Sequence, residues 1–327
     1  AGEQIPPLET MRKIMPEKDL CPMSESWNIR LHKAFYPQMR KALFARYGEP
    51  QGVEEYSKKS QVHQYEATRA MFEAFAANKY KSSGIIYWMY NSAWPSLYWQ
   101  LYDYFLAPNG AFYGTRKACE NLHIQYAYDD GSIRVVNNTY QDFNGLKAYV
   151  KVCDLAMQEK FSGEASVDIK SDESLKVAFP GMPSGAGEMT FLKLTLNDGD
   201  GKLVSSNFYW LSEKGDKNAD FQALNRLPIV ELKCSASTIS REKGKYKVSV
   251  EIENTSSSLA FAVNPKIVGN VSKDLILPVF WEDNYFALLP GEKRQLKVEF
   301  SERDLNNEKP VFAIDGWNVN KDEKEIR

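Results

Sequence analysis

Hydrophobic and polar positions divide the chain into two textures. From residue 1 to about 121 apolar residues recur at helical spacing. From about 122 onward they alternate in short runs separated by Gly, Asn, Asp and Ser, which is the pattern of all-β structure. Leu31, Phe35, Met39, Leu43 and Tyr47 stand four apart and share one face of a helix within 27–47. Pro37 should kink or divide that helix, and Gly48-Glu49-Pro50 should end it. A longer helix is predicted from Val53 to about Tyr80, with Val62, Tyr65, Phe72, Phe75 and Ala76 roughly on one face. After Ser82-Ser83-Gly84 comes Ile85-Ile86-Tyr87-Trp88-Met89-Tyr90, a run of large apolar and aromatic residues without alternation. Such a run predicts a strand buried on both faces, as in a parallel sheet or barrel. One helix and one such strand cannot close a barrel, so the region reads as an incomplete one.

The β texture opens with a strand over 122–128, the tight turn Asp129-Asp130-Gly131, and a second strand over 132–137. Further strands are predicted at 146–153, 174–179, 189–196 and 205–211, making 122–212 an immunoglobulin-like sandwich. Residues 213–227 are polar and read as a linker. The β pattern then resumes over 228–327 as a second immunoglobulin-like sandwich without that fold's disulfide.

Composition narrows the function classes. The 327 residues are 43% hydrophobic and 26% charged, a globular balance. Lys plus Arg is 41 and Asp plus Glu is 43, so there is no basic excess for nucleic acid. No run of about 18 apolar residues spans a membrane, and no signal peptide is expected at the start. Cys21, Cys119, Cys153 and Cys234 form no CxxC pair, and with only three histidines no zinc site is expected. They read as free thiols rather than a disulfide framework, and they leave the compartment open. No phosphate loop, nucleophile elbow or metal motif is present, so no metal or cofactor is implied. Asn137-Asn138-Thr139, Asn254-Thr255-Ser256 and Asn270-Val271-Ser272 match the N-glycosylation pattern, which also recurs by chance. Aromatics reach 13%, a level that both cores and carbohydrate clefts use.

The segment 84–118, GIIYWMYNSAWPSLYWQLYDYFLAPNGAFYGTRKA, resembles the last barrel strand and following loop of glycoside hydrolase family 2. The resemblance is to its exo-β-D-glucosaminidase branch, with the β-mannosidases as near relatives. It rests on Trp88, Asn91, Trp94-Pro95-Ser96, Trp99, Asp103, a Gly110-Ala111 turn with Tyr113-Gly114, and Lys117-Ala118. β-Mannosidases tend to carry Asn-Asp after this strand, where this chain has Asn91-Ser92. Ala1 to Pro6 with Leu8 to Met11 resembles the segment after barrel strand seven, and Tyr65-Glu66, Arg69 and Phe72-Glu73 the helix before strand eight. Asn121 to Tyr126, Tyr209 to Ser212 and Ile314 to Asn318 fit the same branch, so the resemblance covers essentially the whole chain.

It implies a mixed fold: a C-terminal fragment of a (β/α)8 barrel over 1–121, followed by the two sandwiches. It implies retaining hydrolysis of β-linked glucosamine or β-mannoside glycans in a secreted or periplasmic parent, by two carboxyl groups about 5 Å apart. In the family these stand on barrel strands four and seven, upstream of Ala1. The resemblance therefore places no catalytic residue in this chain, leaves Glu3 without a role, and makes the upstream half of the barrel its partner. The substrate-binding candidates are Trp88, Tyr90, Asn91 and Trp94. Trp88 is a sugar platform at the strand end or a core aromatic inside the barrel. Asn91 reaches a sugar hydroxyl or bonds a turn, and Trp94 meets a sugar ring or anchors its loop. Trp210, Trp281 and Trp317 read as core residues of the β-domains. The competing class is a non-catalytic carbohydrate-binding or structural module.

Overall fold

The computed structural model describes residues 4–21, 23–31, 36–97 and 99–327, with the side chains of 36–39 excepted. Ala1, Gly2 and Glu3, and Phe35 and Met39 of the apolar stripe, lie outside the described side chains. The helical part comprises α1 (Leu8–Ile14), α2 (Glu17–Leu20), α3 (Glu25–Arg30), α4 (Tyr36–Tyr47), α5 (Val53–Ala77) and α6 (Gly110–Ala118). The helix expected over 27–47 is thus two helices, α3 and α4, and α4 ends at Tyr47 before the left-handed Gly48.

The 25-residue α5 is the axis of this part. It buries polar side chains along much of its length, among them Ser57, Gln61, Gln64, Thr68, Arg69 and Glu73, beside Val62 and Tyr65. The apolar face read from sequence is only half right, because Phe75 is exposed. Packing on several sides, not amphipathicity, sets this burial. Hydrogen bonds made by Gln61, Gln64, Arg69 and Glu73 meet part of the polar cost, while Thr68 Oγ1, Gln64 Oε1 and Glu73 Oε2 are buried without a hydrogen-bond partner. The Gly110-Ala111 turn is instead the start of α6, capped by Asn109 Oδ1, which accepts from Phe112 N at 3.1 Å. A Cβ on Gly110 would lie 2.1 Å from the Gln61 carbonyl oxygen, and one on Gly114 2.3 Å from that of Tyr65. Two glycines four apart therefore let α6 lie directly on the α5 backbone.

The first sandwich packs β1 (Leu122–Tyr126), β2 (Ile133–Asn137) and β5 (Ser174–Val177), ordered β1-β2-β5, against a second sheet. That sheet holds β3 (Phe143–Cys153), β4 (Glu159–Ile169), β6 (Met189–Asn197) and β7 (Leu203–Ser212), ordered β4-β3-β6-β7. Its core sets Leu146, Ala148, Val150 and Val152 of β3 beside Leu192, Leu194 and Leu196 of β6, facing Ile124 and Val135. The second sandwich holds β8 (Leu232–Glu242), β9 (Lys245–Asn254), β10 (Ala260–Gly269), β11 (Val279–Trp281), β12 (Phe286–Leu288), β13 (Lys293–Ser301), β14 (Pro310–Asp315) and β15 (Asp322–Glu325). Its sheets are ordered β11-β13-β9-β8 and β12-β10-β14-β15.

Segment 213–227, read as a linker, is docked instead. Phe221 and Leu224 are buried, Phe221 N donates to Arg46 O at 2.6 Å, and Trp317 Nε1 donates to Leu224 O at 2.9 Å. The rings of Phe221, Tyr47, Trp317, Phe261 and Trp210 join in that order, so helices and second sandwich share one continuous core. Trp210, Trp281 and Trp317 are all buried, as core residues should be. Among the described residues no helix is long and apolar enough to cross a membrane.

Candidate functional site

The run 85–90 is not a strand buried on both faces. Its residues form no strand, bending at Trp88 and Tyr90, and exposure alternates along them. Ile86 is 100% exposed, Trp88 74% and Tyr90 60%, while Ile85, Tyr87 and Met89 turn inward, with Tyr87 6.1 Å from the ring of Phe72 on α5. Burial on both faces needs a strand on each edge and cover above and below. This run has cover on one face only.

Beyond it the chain turns back on itself. Met89 N donates to Trp99 O at 2.7 Å, and Leu101 N and Tyr102 N both donate to Tyr90 O, at 3.0 and 3.1 Å. Asn91 bridges Tyr102 in parallel. Trp99 sits at φ 68°, a left-handed conformation that costs a bulky residue about 1–3 kcal/mol. The bond from Met89 N helps to hold it there.

A buried polar chain fixes this loop. Ser92 Oγ donates to Trp94 O and lies 2.9 Å from Ser96 Oγ, which reaches Gln100 Oε1 at 3.2 Å. Asn109 Nδ2 donates to Gln100 O at 2.7 Å while its Oδ1 caps α6. At the next residue, Gly110 N donates to Gln61 Oε1 at 2.8 Å, and Gln61 Nε2 donates to the carbonyls of Ile5 and Pro6. The loop is thereby tied to α5 and to the N-terminal segment by buried hydrogen bonds, each costly to leave unmade.

Four exposed candidates result. Trp88, Tyr90, Asn91 and Trp94 all lie on this one stretch, with Trp94 37% exposed. The Arg30 guanidinium stands 5.5 Å from the Trp94 ring centroid, and its Nη1 donates to Pro95 O at 3.0 Å. Tyr90 packs on Tyr102 at 5.3 Å. Flat rings held on a rigid loop can stack on an apolar sugar face. Arg30, Tyr102 and the Ser92–Ser96–Gln100 series escaped sequence reading, although polar residues four apart inside an aromatic stretch were a legible signal.

The nearby carboxylates are committed elsewhere. Asp103 is buried, which raises its pKa, and its Oδ1 accepts from Phe105 N and Ala107 N at 2.8 and 2.9 Å to close a turn. Glu120 accepts from Ser205 Oγ at 2.6 Å, pairs with Lys117 at 2.8 Å and faces His123. Burial would raise the Glu120 pKa, but these partners outweigh it and hold it at about 2. Glu120 is thus held ionised by its partners, and Asp103 Oδ1 is spent on closing its turn.

Residues 207–319 match the model of the exo-β-D-glucosaminidase Ig-fold domain, and residues 130–214 that of the mannosidase Ig/CBM-like domain. Its sandwiches belong to the exo-β-D-glucosaminidase and mannosidase Ig-fold families. The chain is 35% identical to an exo-β-D-glucosaminidase of Amycolatopsis orientalis over 98% of its own length and 34% of that protein. It is 34% identical to one from Streptomyces avermitilis, over 98% of this chain and 39% of that protein. The chain thus spans roughly a third to two-fifths of these curated relatives. Among solved structures, the A. orientalis exo-chitosanase in complex with PNP-β-D-glucosamine superposes with a TM-score of 0.89 at 31% identity, over 99% of this chain and 42% of that one. The resemblance of 84–118 to the exo-β-D-glucosaminidase branch is therefore borne out across the chain.

Proposed function

We propose that this chain is the C-terminal portion of a retaining exo-β-glycosidase acting on β-linked glucosamine (chitosan-type) glycans, with β-mannosides as the second substrate class. The observation that carries the reading is the run 85–90, which turns Ile86, Trp88 and Tyr90 outward and leads into the Trp94 loop. In this reading it is the last strand of a (β/α)8 barrel, and residues 1–121 are that barrel's final part. The flanking strands come from the upstream half, the partner that covers the exposed face. Trp88, Tyr90, Asn91 and Trp94 then stand at the C-terminal end of a barrel strand, where barrel enzymes bind substrate. The names of the relatives, and the glucosaminide bound to the exo-chitosanase, support this sugar class.

Retaining hydrolysis needs a nucleophile and an acid/base about 5 Å apart across one glycosidic bond. The upstream half supplies both, and the chain alone is inactive. The test is turnover of aryl β-glucosaminide and aryl β-mannoside by the purified chain, alone and mixed with the upstream half. The expected result is no turnover above buffer alone and glucosaminide turnover on mixing. Turnover by the chain alone, abolished by Glu3→Gln, would overturn the reading.

A further inference from the structure

The second sandwich grips one side of α6 through three residues of the loop at Trp281–Tyr285. The Tyr285 ring lies 5.9 Å from that of Tyr113, Lys117 Nζ lies 3.6 Å from Asp283, and Arg116 donates to Trp281 O. Tyr285 is itself firmly seated. Its N donates to Asn284 Oδ1 at 2.7 Å, and Asn284 Nδ2 donates to Pro265 O at 3.0 Å, tying the loop to β10.

The N-terminal end of α6 meets the rim. Phe112 packs on Tyr102 at 4.7 Å, Tyr102 packs on Tyr90 at 5.3 Å, and Asn109 carries the bond to Gln100. Phe112 and Tyr113 are in edge contact at 5.0 Å. Five rings therefore run in order from exposed Tyr90 through Tyr102, Phe112 and Tyr113 to Tyr285. Between them α6 cannot settle closer to α5, because Gly110 and Gly114 already bring the two backbones into contact.

From this path we infer that Tyr285 of the second sandwich is a positioning residue for the rim, acting through Tyr113 and α6 on Phe112, Tyr102 and finally Tyr90. It touches no substrate. The second sandwich is then part of the machinery that aims the aromatic rim, although about 190 residues of sequence separate the two. The inference rests on the reading of that rim as a sugar site, but its first test does not.

That test is amide hydrogen exchange in this chain at Leu101 and Tyr102, whose N–H groups donate to Tyr90 O. Tyr285→Ala should speed exchange there about tenfold, while Tyr285→Phe stays within about twofold, because the ring and not the hydroxyl makes the contact. Exchange in the first-sandwich core strands β3 and β6 serves as the control for global unfolding. Should Tyr285→Ala fail to fold, Tyr285→Leu keeps the volume and loses the ring. Unchanged exchange at 101 and 102 in a folded Tyr285→Ala or Tyr285→Leu chain overturns the inference, and so does failure of Phe to rescue. In the reconstituted enzyme, Tyr285→Ala should raise KM several-fold more than it lowers kcat, again with rescue by Phe. If Tyr90→Ala leaves kcat/KM unchanged there, the rim reading fails while the exchange result stands by itself.

Discussion

Glu73 on α5 and His123 on β1 meet at 2.9 Å, Oε1 to Nε2, and each side chain is 1% exposed. The other ring nitrogen of His123 faces Glu120 Oε2 at 3.0 Å. With a carboxylate against each nitrogen, the ring makes both hydrogen bonds only as the doubly protonated imidazolium. Tyr209 and Asn207 of β7 also donate to Glu73 Oε1, at 2.7 and 2.8 Å. Arg69 stacks 4.0 Å from the Tyr209 ring centroid and donates to Asn207 Oδ1 at 2.8 Å. This buried cluster is the joint between the long helix and the first sandwich.

The joint should make stability depend on pH. Burial alone would lower the His123 pKa, but its bonds to Glu120 and Glu73 outweigh that and raise it. The contribution is therefore fully present below the ordinary histidine pKa and is lost as pH rises through the raised one. On the acid side, Glu120's contribution is present above the ordinary carboxylate range and is lost as pH falls towards about 2. Urea unfolding should place His123→Gln about 3 kcal/mol below the parent at mildly acid pH, with the gap narrowing on the alkaline side. A gap that stays constant between about pH 5 and pH 9 would show that no imidazolium holds the joint.

Gly114→Ala should cost about 2–3 kcal/mol, because the added methyl meets the Tyr65 carbonyl and α6 must move away from α5. Gly199→Ala, where the nearest atom is a carbonyl oxygen 3.9 Å away, should stay within about 0.5 kcal/mol. Equal midpoints for the two variants in chemical denaturation would contradict the close approach.

Exposed and buried tryptophans should separate function from stability. Trp88→Ala and Trp94→Ala should leave the unfolding free energy of this chain within about 0.5–1 kcal/mol, yet lower kcat/KM of the reconstituted enzyme at least about fivefold. Trp317→Ala, whose buried ring lies off the path from Tyr285 to the rim, should cost about 3–5 kcal/mol of stability and spare the rate at matched folded fraction. Similar rate losses from all three would remove the rim assignment.

Two of the three Asn-x-Ser/Thr triplets are turn anchors. Asn137 Nδ2 donates to Gln141 O and Lys170 O while its Oδ1 accepts from Thr139, and Asn254 Nδ2 donates to Ser258 O and Leu288 O while its Oδ1 accepts from Ser256. Both are fully buried, one in each sandwich. Alanine at either should cost about 2–3 kcal/mol through stranded carbonyls. At exposed Asn270, whose Oδ1 accepts from Lys309 N, alanine should cost no more than about 1 kcal/mol. Thermal melts of the three variants decide this.

Much of the β structure was legible because its strands alternate and its turns carry Gly, Asn and Asp. β4 was missed: its exposed, polar alternation Glu159-Lys160-Phe161-Ser162-Gly163-Glu164 has too few apolar residues to mark a sheet edge. β15, reading Asp322-Glu323-Lys324-Glu325, carries no apolar signal at all and is held by pairing with β14. The run 85–90 was misread because apolarity reports the cover a segment is built for, not the cover within one chain. The polar burial on α5 was invisible because its hydrogen-bond partners, such as Asn207 and Ile5, lie far away in sequence. The candidates Trp88 to Trp94 were findable as aromatics beside a turn. Arg30 was not, since only the fold brings α3 to that loop.

The matched asparagine turns also govern how this protein can be produced. Oligosaccharide transfer in a eukaryotic secretory pathway acts on the nascent chain, before either turn has closed. A sugar on Asn137 or Asn254 would be a bulky hydrophilic graft on a side chain that each sandwich must enclose, so decoration and folding compete for the same nitrogen atom. A host without N-glycosylation is thus the route to native material, and poor secretion from yeast or insect cells would report on these two turns rather than on the sandwiches' intrinsic stability.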